Sequence, residues 1–106
     1  MPQADTLPIP VKRALGKLGQ DIRDARRRRR IPVTTMAERA SITRKTLYRV
    51  EQGEPGVTLG VYATVLFCLG MIDRLADIAD VRHDAIGLEL ENERLPQRIR
   101  KRKKQE

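Results

Sequence analysis

The sequence predicts an all-α protein built around one small core. Its 106 residues are 40% apolar, with two tyrosines, one phenylalanine and no tryptophan, so the core must be aliphatic. Aliphatic cores suit packed helices better than β-sandwiches. Apolar residues also recur at alternating intervals of three and four, which is the helical period. We therefore predict five short helices, followed by a short C-terminal strand or helix and a basic tail.

The first helix follows residues 1–9, which hold two prolines and little periodicity and are predicted to be a flexible arm. Pro10 suits the first position of a helix, where its missing N–H is not needed. An apolar stripe then predicts a helix that continues to about Arg29. Its members are Val11, Leu15, Leu18, Ile22 and Ala25.

Four shorter helices complete the predicted domain, residues 10–80. The second lies between Pro32 and Ser41, and the third begins at a Thr43 N-cap and ends at Gly53. The fourth is capped by Thr58 and stopped by Gly70. The predicted inward positions are Met36, Ala37 and Ala40 in the second helix, Leu47 and Val50 in the third, Leu59, Tyr62, Ala63, Leu66 and Leu69 in the fourth, and Ile72, Leu75, Ala76 and Ala79 in the fifth.

The C-terminal region has a different character. Residues 81–95 alternate apolar and acidic side chains at Ile86, Leu88 and Leu90, a period-2 signal that Leu95 breaks, so a strand and a helix both remain open. Residues 96–106 are too highly charged to pack and are predicted to be a basic disordered tail.

Charge is distributed unevenly along the chain, whose formal net charge is +8. Residues 1–30 carry nine basic and three acidic groups, whereas residues 54–97 carry three basic and eight acidic groups. This asymmetry favours a nucleic-acid footprint on one face over a surface in which the signs are mixed. A membrane partner is not expected, because no basic stretch is interleaved with the large apolar residues of a membrane-surface helix and no apolar run approaches ~20 residues.

The reactive side chains are few. Cys68 and His83 are the only cysteine and the only histidine, so we expect no intrachain disulfide, no metal site and no cofactor. No nucleophile and base are arranged for catalysis, which argues against an enzyme. A reducing cytoplasm is the expected location.

The most informative stretch is "VTTMAERASITRKTLYRVEQG", residues 33–53. Two short helices, joined by three or four residues and crossing at the small Ala37, can place the second helix in a major groove of DNA. Residues 36–53, "MAERASITRKTLYRVEQG", resemble the helix-turn-helix of the Cro/C1-type regulators, the XRE family. The resemblance implies a five-helix, lambda-repressor-like domain that binds double-stranded DNA.

The resemblance also implies roles for individual residues. Those expected to read base edges are Arg44, Lys45, Tyr48 and Arg49; those expected to contact phosphate are Thr34, Thr35, Thr43 and Thr46. Apart from the resemblance, Arg27 and Arg28 point outward in the last turn of the first helix and are expected to attract phosphate. In the family, an arginine at the position of Arg26 forms a structural ion pair with the glutamate that is Glu51 here. Five consecutive arginines, 26–30, therefore have at least two roles.

The chain departs from the family pattern at three places. Pro32 and Val33 replace a capping Ser or Thr and a phosphate-binding Gln, so we predict a capping box formed by Thr35 and Glu38 one turn later. Ser41 replaces the glycine of the turn, and Arg30 replaces a C-cap glycine. Both positions favour positive φ.

The small size of the motif predicts a second copy of the chain as a partner. One such domain covers few base pairs, so we expect a homodimer on a two-fold operator, with residues 81–95 as a dimerisation or partner-binding extension. Residues 53–80 and "LPQRIR", 95–100, resemble HipB-like antitoxins, which repress their own operon and bind a HipA-type kinase toxin. This implies a nucleoid-associated bacterial autorepressor and antitoxin. The alternatives are a stand-alone phage-type or metabolic repressor, and an interaction module that has lost DNA binding, which the basic Arg44, Lys45 and Arg49 disfavour.

Overall fold

The computed structural model describes residues 6–93, in which all regular structure is helical. This confirms the all-α prediction, and the part of the 81–95 segment that the structure describes is helical rather than extended. The first five residues of the arm, the "LPQRIR" stretch and the tail, 96–106, lie outside the described residues. The helices are α1 (Ile9–Arg28), α2 (Val33–Arg39), α3 (Arg44–Glu51), α4 (Leu59–Cys68), α5 (Ile72–Ala76) and α6 (85–93), with a 3-10 turn at Val81–His83 before α6.

The chain divides into two compact units after Asp73. The first contains α1 to α4, with α3 packed against α1 and α2, and α4 packed against α2. Its core is aliphatic apart from one tyrosine. The buried apolar residues are Ile22, Ala25, Met36, Ala37, Ala40, Leu47, Val50, Tyr62, Val65, Leu66 and Leu69.

Four of the predicted inward positions are wrong. Val11 and Leu59 are exposed, as are Ala76, at the end of α5, and Ala79 beyond it. In α4 Val65 is fully buried, whereas Leu59 is 67% exposed. Nearly every residue of "LGVYATVLFC" is apolar, so periodicity cannot choose between overlapping faces of this helix.

The start of α1 and the cap of α2 differ from prediction, whereas α2 lies between Pro32 and Ser41 as predicted. α1 begins at Ile9, so that Pro10 is its second residue. α2 begins at Val33 directly after Pro32, whose carbonyl accepts a hydrogen bond from the Met36 N–H at 3.0 Å. Thr35 is therefore the third residue of α2, and the predicted capping box with Glu38 is wrong. Proline has no side-chain donor or acceptor, but its extended backbone can still open a helix.

The predicted threonine caps are confirmed. The Thr46 N–H donates to Thr43 Oγ1 at 3.1 Å at the start of α3, and the Val61 N–H donates to Thr58 Oγ1 at 3.3 Å at the start of α4. Each cap satisfies an N–H group that has no acceptor within its own helix.

The first four helices all end in the same backbone motif. Shortly after each helix, an N–H donates back to a carbonyl of the last turn: Ile31 to Arg26, Ile42 to Ala37, Glu54 to Arg49 and Met71 to Leu66. The residue before each of these donors has positive φ: 55° at Arg30, 56° at Ser41, 72° at Gly53 and 79° at Gly70. This is the Schellman motif, in which glycine is favoured because side chains at positive φ cost about 1–2 kcal/mol. The prediction that Arg30 and Ser41 occupy glycine-type positions is confirmed.

Two glycines let α1 approach the end of α3 at backbone distance. A Cβ at Gly19 would lie 2.5 Å from the Gly53 nitrogen and 2.7 Å from the Val50 oxygen. No side chain fits there without moving a helix. This approach joins residues far apart in sequence, and Gly19 was not predicted to have a packing role.

The second unit is held by polar contacts. Arg82 contacts Asp77, its Nε donates to Asp80 Oδ1 at 2.9 Å, and His83 Nε2 lies 2.9 Å from Asp77 Oδ2. The side-chain and backbone hydrogen bonds from Arg82 hold the pKa of Asp80 below its ordinary value. Asp84 Oδ1 accepts from the Gly87 N–H at 3.0 Å, which caps α6. Residues 74–93 include no buried residue, so the described part of this unit has no core of its own.

Candidate nucleic-acid interface

The exposed face of α3 is basic. Positions 44, 45, 48 and 49 lie on one side of a helix because they are one residue or about one turn apart. Leu47, Val50 and Glu51 are buried on the opposite side. The structure thus brings together all four residues predicted to read bases: Arg44, Lys45, Tyr48 and Arg49, each of which is exposed.

The N-terminus of α3 offers donors to an anion. The backbone N–H groups of Arg44 and Lys45, in the first turn, have no carbonyl to bind within the helix. They lie at the positive end of the helix dipole, an arrangement that favours phosphate.

The hydroxyl groups at this end have unequal freedom. Thr43 accepts from the Thr46 N–H and donates its hydroxyl proton to Thr46 Oγ1 at 3.0 Å. The Thr43 hydroxyl is therefore occupied by the cap, and a contact from Thr43 to phosphate is left to its backbone N–H. The hydroxyl proton of Thr46 is the one that can point to an external acceptor, since its oxygen already accepts from Thr43.

The other predicted phosphate contacts lie outside α3. Thr34 is exposed and Thr35 is half-buried in the first turn of α2. Arg27 and Arg28 are exposed in the last turn of α1. Arg29 is also exposed, but its Nη1 donates to the Ala25 carbonyl at 3.0 Å, so its guanidinium folds back along its own helix.

Arg26 and Glu51 form a buried ion pair. Arg26 Nε lies 2.6 Å from Glu51 Oε2, and Arg26 Nη2 lies 3.1 Å from Glu51 Oε1; each residue is 8% exposed. Arg26 Nη1 also donates to the Ile31 carbonyl at 3.0 Å. One guanidinium thus joins the end of α1, the end of α3 and the loop that leads to α2. This pairing sets the direction in which α3 presents its exposed face.

A further acidic residue, Glu54, contacts the basic face and was not identified from the sequence. Its Oε2 lies 3.1 Å from Arg49 Nε, its N–H donates to the Arg49 carbonyl at 3.1 Å, and its own carbonyl accepts from the Tyr62 hydroxyl at 2.8 Å. Burial, and secondarily the negative charge of Glu54, raise the pKa of Tyr62 above its ordinary value. An acid five residues after an arginine, across a helix-ending glycine, is the sequence signal that could have revealed this contact.

A family model described as a helix-turn-helix domain matches residues 17–85, about two thirds of the chain. The chain belongs to the helix-turn-helix domain family. The matched residues include α2 and α3, the two short helices predicted to form the motif. The protein is a DNA-binding regulator of the helix-turn-helix class. Comparisons with curated proteins and with solved structures gave no significant match.

Two further findings on this helix-turn-helix protein concern metal ions and membranes. Within residues 6–93, no three or more His, Cys, Asp or Glu side chains converge in a way that could hold a metal ion. None of the helices that the structure describes has the length and apolar character needed to cross a bilayer.

Proposed function

We propose that this protein is a sequence-specific regulator that binds a two-fold DNA operator as a dimer and represses its own gene. The observation that carries the proposal is the outward face of α3, where Arg44, Lys45, Tyr48 and Arg49 are all exposed. No acidic residue occurs between Arg39 and Val50. A recognition helix with this face is suited to the major groove, whose walls are phosphate and whose floor carries hydrogen-bonding base edges.

Each side chain on this face has a role that its chemistry supports. The planar guanidinium groups of Arg44 and Arg49 can each donate two hydrogen bonds to O6 and N7 of a guanine. Lys45 can donate to the same acceptors as a point charge. Tyr48 can pack against a thymine methyl or donate to phosphate. Together these side chains would supply direct readout of the operator.

Phosphate contacts would hold α3 in register on the duplex. The candidates are the first-turn N–H groups of α3 and the hydroxyls of Thr34 and Thr46, with Thr35 less accessible. Arg27 and Arg28 extend the positive surface to the end of α1. These groups add affinity for any DNA and confer little sequence preference.

The second unit supports a dimerisation or partner-binding role. Large aliphatic side chains rarely stand this exposed in groups on a monomer, because their burial is favourable. Four of them in this unit are more than half exposed: Ile78, Val81, Ile86 and Leu90. A second copy of the chain is the partner we propose for them, since a two-fold operator requires one.

The antitoxin role is the finer part of the proposal. It rests on the likeness of residues 53–80 and 95–100 to HipB-like antitoxins, with a HipA-like kinase toxin as the protein partner. Leu59 and Phe67 of α4 are each 67% exposed and offer apolar surface to such a partner. A stand-alone repressor is the competing function, and a kinase-like neighbouring gene whose product co-purifies stoichiometrically would decide against it.

A gel-shift titration on the DNA upstream of the gene tests the main proposal. The double variant Arg44→Ala/Arg49→Ala should bind this DNA at least ~30-fold more weakly than the wild type, because each guanine readout removed costs about 1–3 kcal/mol. Lys12→Ala/Arg13→Ala removes the same two charges from exposed positions of α1 and should retain sequence-specific binding. Equal losses of affinity in the two double variants would contradict readout by α3.

Sedimentation equilibrium tests the dimer. Ile86→Glu/Leu90→Glu should shift the protein to monomer while its helical circular dichroism is retained. Leu59→Glu, at an equally exposed position of α4, is the control and should leave the dimer intact. A monomeric wild type at micromolar concentration would contradict the proposed role of α6.

A further inference from the structure

We infer that Glu54 is a specificity-determining positioning residue, which holds the Arg49 guanidinium so that it can read one guanine. The inference rests on the proposed DNA-binding function and concerns how one of its base readers is held. It goes beyond the recognition helix, because Glu54 lies three residues past the end of α3.

The contact between Glu54 and Arg49 leaves the reading edge of the arginine available. Glu54 Oε2 accepts from Arg49 Nε at 3.1 Å. A guanidinium has five N–H donors, and those on its two terminal nitrogens point away from Nε. The two parallel bonds to guanine O6 and N7 can come from these terminal nitrogens. The carboxylate therefore orients the guanidinium and leaves its two terminal nitrogens free to bind guanine.

Glu54 is itself held in place by its backbone. Its N–H is bound to the carbonyl of Arg49, and its carbonyl accepts from the Tyr62 hydroxyl at 2.8 Å. Tyr62 is 3% exposed and belongs to the core through α4. The residue before Glu54 is Gly53, at positive φ in the Schellman turn that closes α3. The carboxylate thus lies on a segment anchored at two points, and its contact restricts the rotamers of the Arg49 side chain, which is 54% exposed.

The position of this carboxylate has an electrostatic consequence. A negative charge beside the DNA-facing side of α3 repels phosphate, so Glu54 lowers the affinity for DNA of any sequence. Its benefit is restricted to sites where Arg49 meets its guanine. Discrimination is a difference between affinities, and it rises when the wrong sites are weakened. A merely stabilising surface ion pair would have no effect on base preference.

The test is selection from a randomised duplex library, followed by fluorescence anisotropy on the selected site and on single-base-pair variants of it. Four variants are compared with the wild type: Glu54→Ala, Glu54→Gln, Arg49→Ala and Glu38→Ala. Glu38 is an exposed acid of α2, so its replacement removes the same charge without touching Arg49. Glu54→Gln keeps an oxygen acceptor for Nε but removes the charge.

Arg49→Ala should abolish the preference at one base pair in each half-site. Glu54→Ala should reduce discrimination at that same base pair about tenfold, with tighter binding to random DNA. Glu54→Gln should recover part of the discrimination, and Glu38→Ala should tighten random binding without changing any base preference. Thermal melting of the Glu54 variants should stay close to that of the wild type, since the Glu54 side chain is half-exposed.

Several outcomes overturn the inference. Full discrimination in Glu54→Ala would do so, and so would an equal loss of discrimination at every base pair of the site. An unchanged base preference in Arg49→Ala overturns the inference as well. If the wild type still binds a specific site in that case, the proposed function remains intact. If the wild type selects no sequence at all, the proposed function itself fails.

Discussion

At the residue scale, the five consecutive arginines differ in burial and therefore in role. Arg26 is buried against Glu51, Arg29 folds back onto α1, and Arg27 and Arg28 are exposed. Arg30 occupies the positive-φ position that ends the helix motif. Side chains of one kind thus serve to brace the fold, to end a helix and to present positive charge.

The buried pair should dominate the stability of the first unit. Arg26→Ala should lower the free energy of unfolding by about 3–5 kcal/mol, because it leaves the Glu51 carboxylate buried without its partner. Urea denaturation would measure the decrease. Arg27→Ala, one residue away and exposed, should change stability by no more than about 0.5 kcal/mol. A comparable decrease in both variants would show that net charge, and not the pair, is responsible.

Replacing either of the two side chains at positive φ by glycine should stabilise the protein. Arg30→Gly and Ser41→Gly should each stabilise the fold by up to ~1 kcal/mol, the relief of left-handed strain being partly offset by the greater freedom of glycine in the unfolded chain. Arg30→Ala is the control, since it removes the same side chain and keeps the strain. Thermal unfolding of the three variants checks this, and a gain in Arg30→Ala equal to that in Arg30→Gly would point to charge instead.

At the element scale, the packing of α1 against α3 depends on one glycine. Gly19→Ala places a methyl group against the backbone of Val50 and Gly53 and should cost several kcal/mol, as overpacking with a helix shift does. Gly16 lies one turn earlier in the same helix, and a Cβ there would meet no heavy atom of the described residues within 4 Å outside the neighbouring backbone. Gly16→Ala should therefore stabilise by about 0.5–1 kcal/mol. Chemical denaturation should show a lower free energy of unfolding for Gly19→Ala and a higher one for Gly16→Ala. Changes of the same sign would contradict the close approach of the two backbones.

The loop between α3 and α4 should confer sensitivity to high pH. The raised pKa of Tyr62 means that the folded state keeps the phenolic proton where the unfolded chain loses it. Stability from this group is therefore present below the ordinary pKa of 10.0 and declines as the pH rises above it. The unfolding midpoint should fall between about pH 8 and about pH 10.5, and this fall should be larger for the wild type than for Tyr62→Phe. An equal fall in both proteins would rule out Tyr62 as the cause of the sensitivity to high pH.

At the scale of the whole molecule, charge should govern the affinity for DNA. The net charge of +8 arises mainly from the N-terminal third and the C-terminal tail, with an acidic region between them. Long-range attraction and counterion release then depend on which basic side chains reach phosphate.

The salt dependence of binding would show how many phosphates these side chains neutralise. Arg27→Ala/Arg28→Ala should reduce the log–log slope of affinity against salt by about 0.9 for each phosphate that is no longer neutralised. Base preference should stay the same, because phosphate carries no sequence information. Anisotropy titrations over a series of salt concentrations give the slope, and an unchanged slope would show that the end of α1 does not meet the DNA.

The features that could be predicted from the sequence are those that depend on neighbours along the chain. The caps at Thr43 and Thr58, the end of α3 at Gly53 and the turn at Ser41 all follow from interactions between residues close in sequence. The sequence did not decide where several local solutions were equally good: the inward face of α4, in which nearly every residue is apolar, and the choice between strand and helix for 81–95.

The sequence by itself determined the all-α class, the order of the helices and a third helix with a basic, acid-free outward face, because helical period, capping and charge are local properties. The ion pair of Arg26 with Glu51 was reached only through a family resemblance, since 25 residues separate its members. Only the tertiary structure decided that Gly19 lets two backbones meet, and that the Tyr62 hydroxyl of α4 holds the carbonyl of Glu54. Those contacts depend on how separate helices pack, and no local pattern records the distance between them.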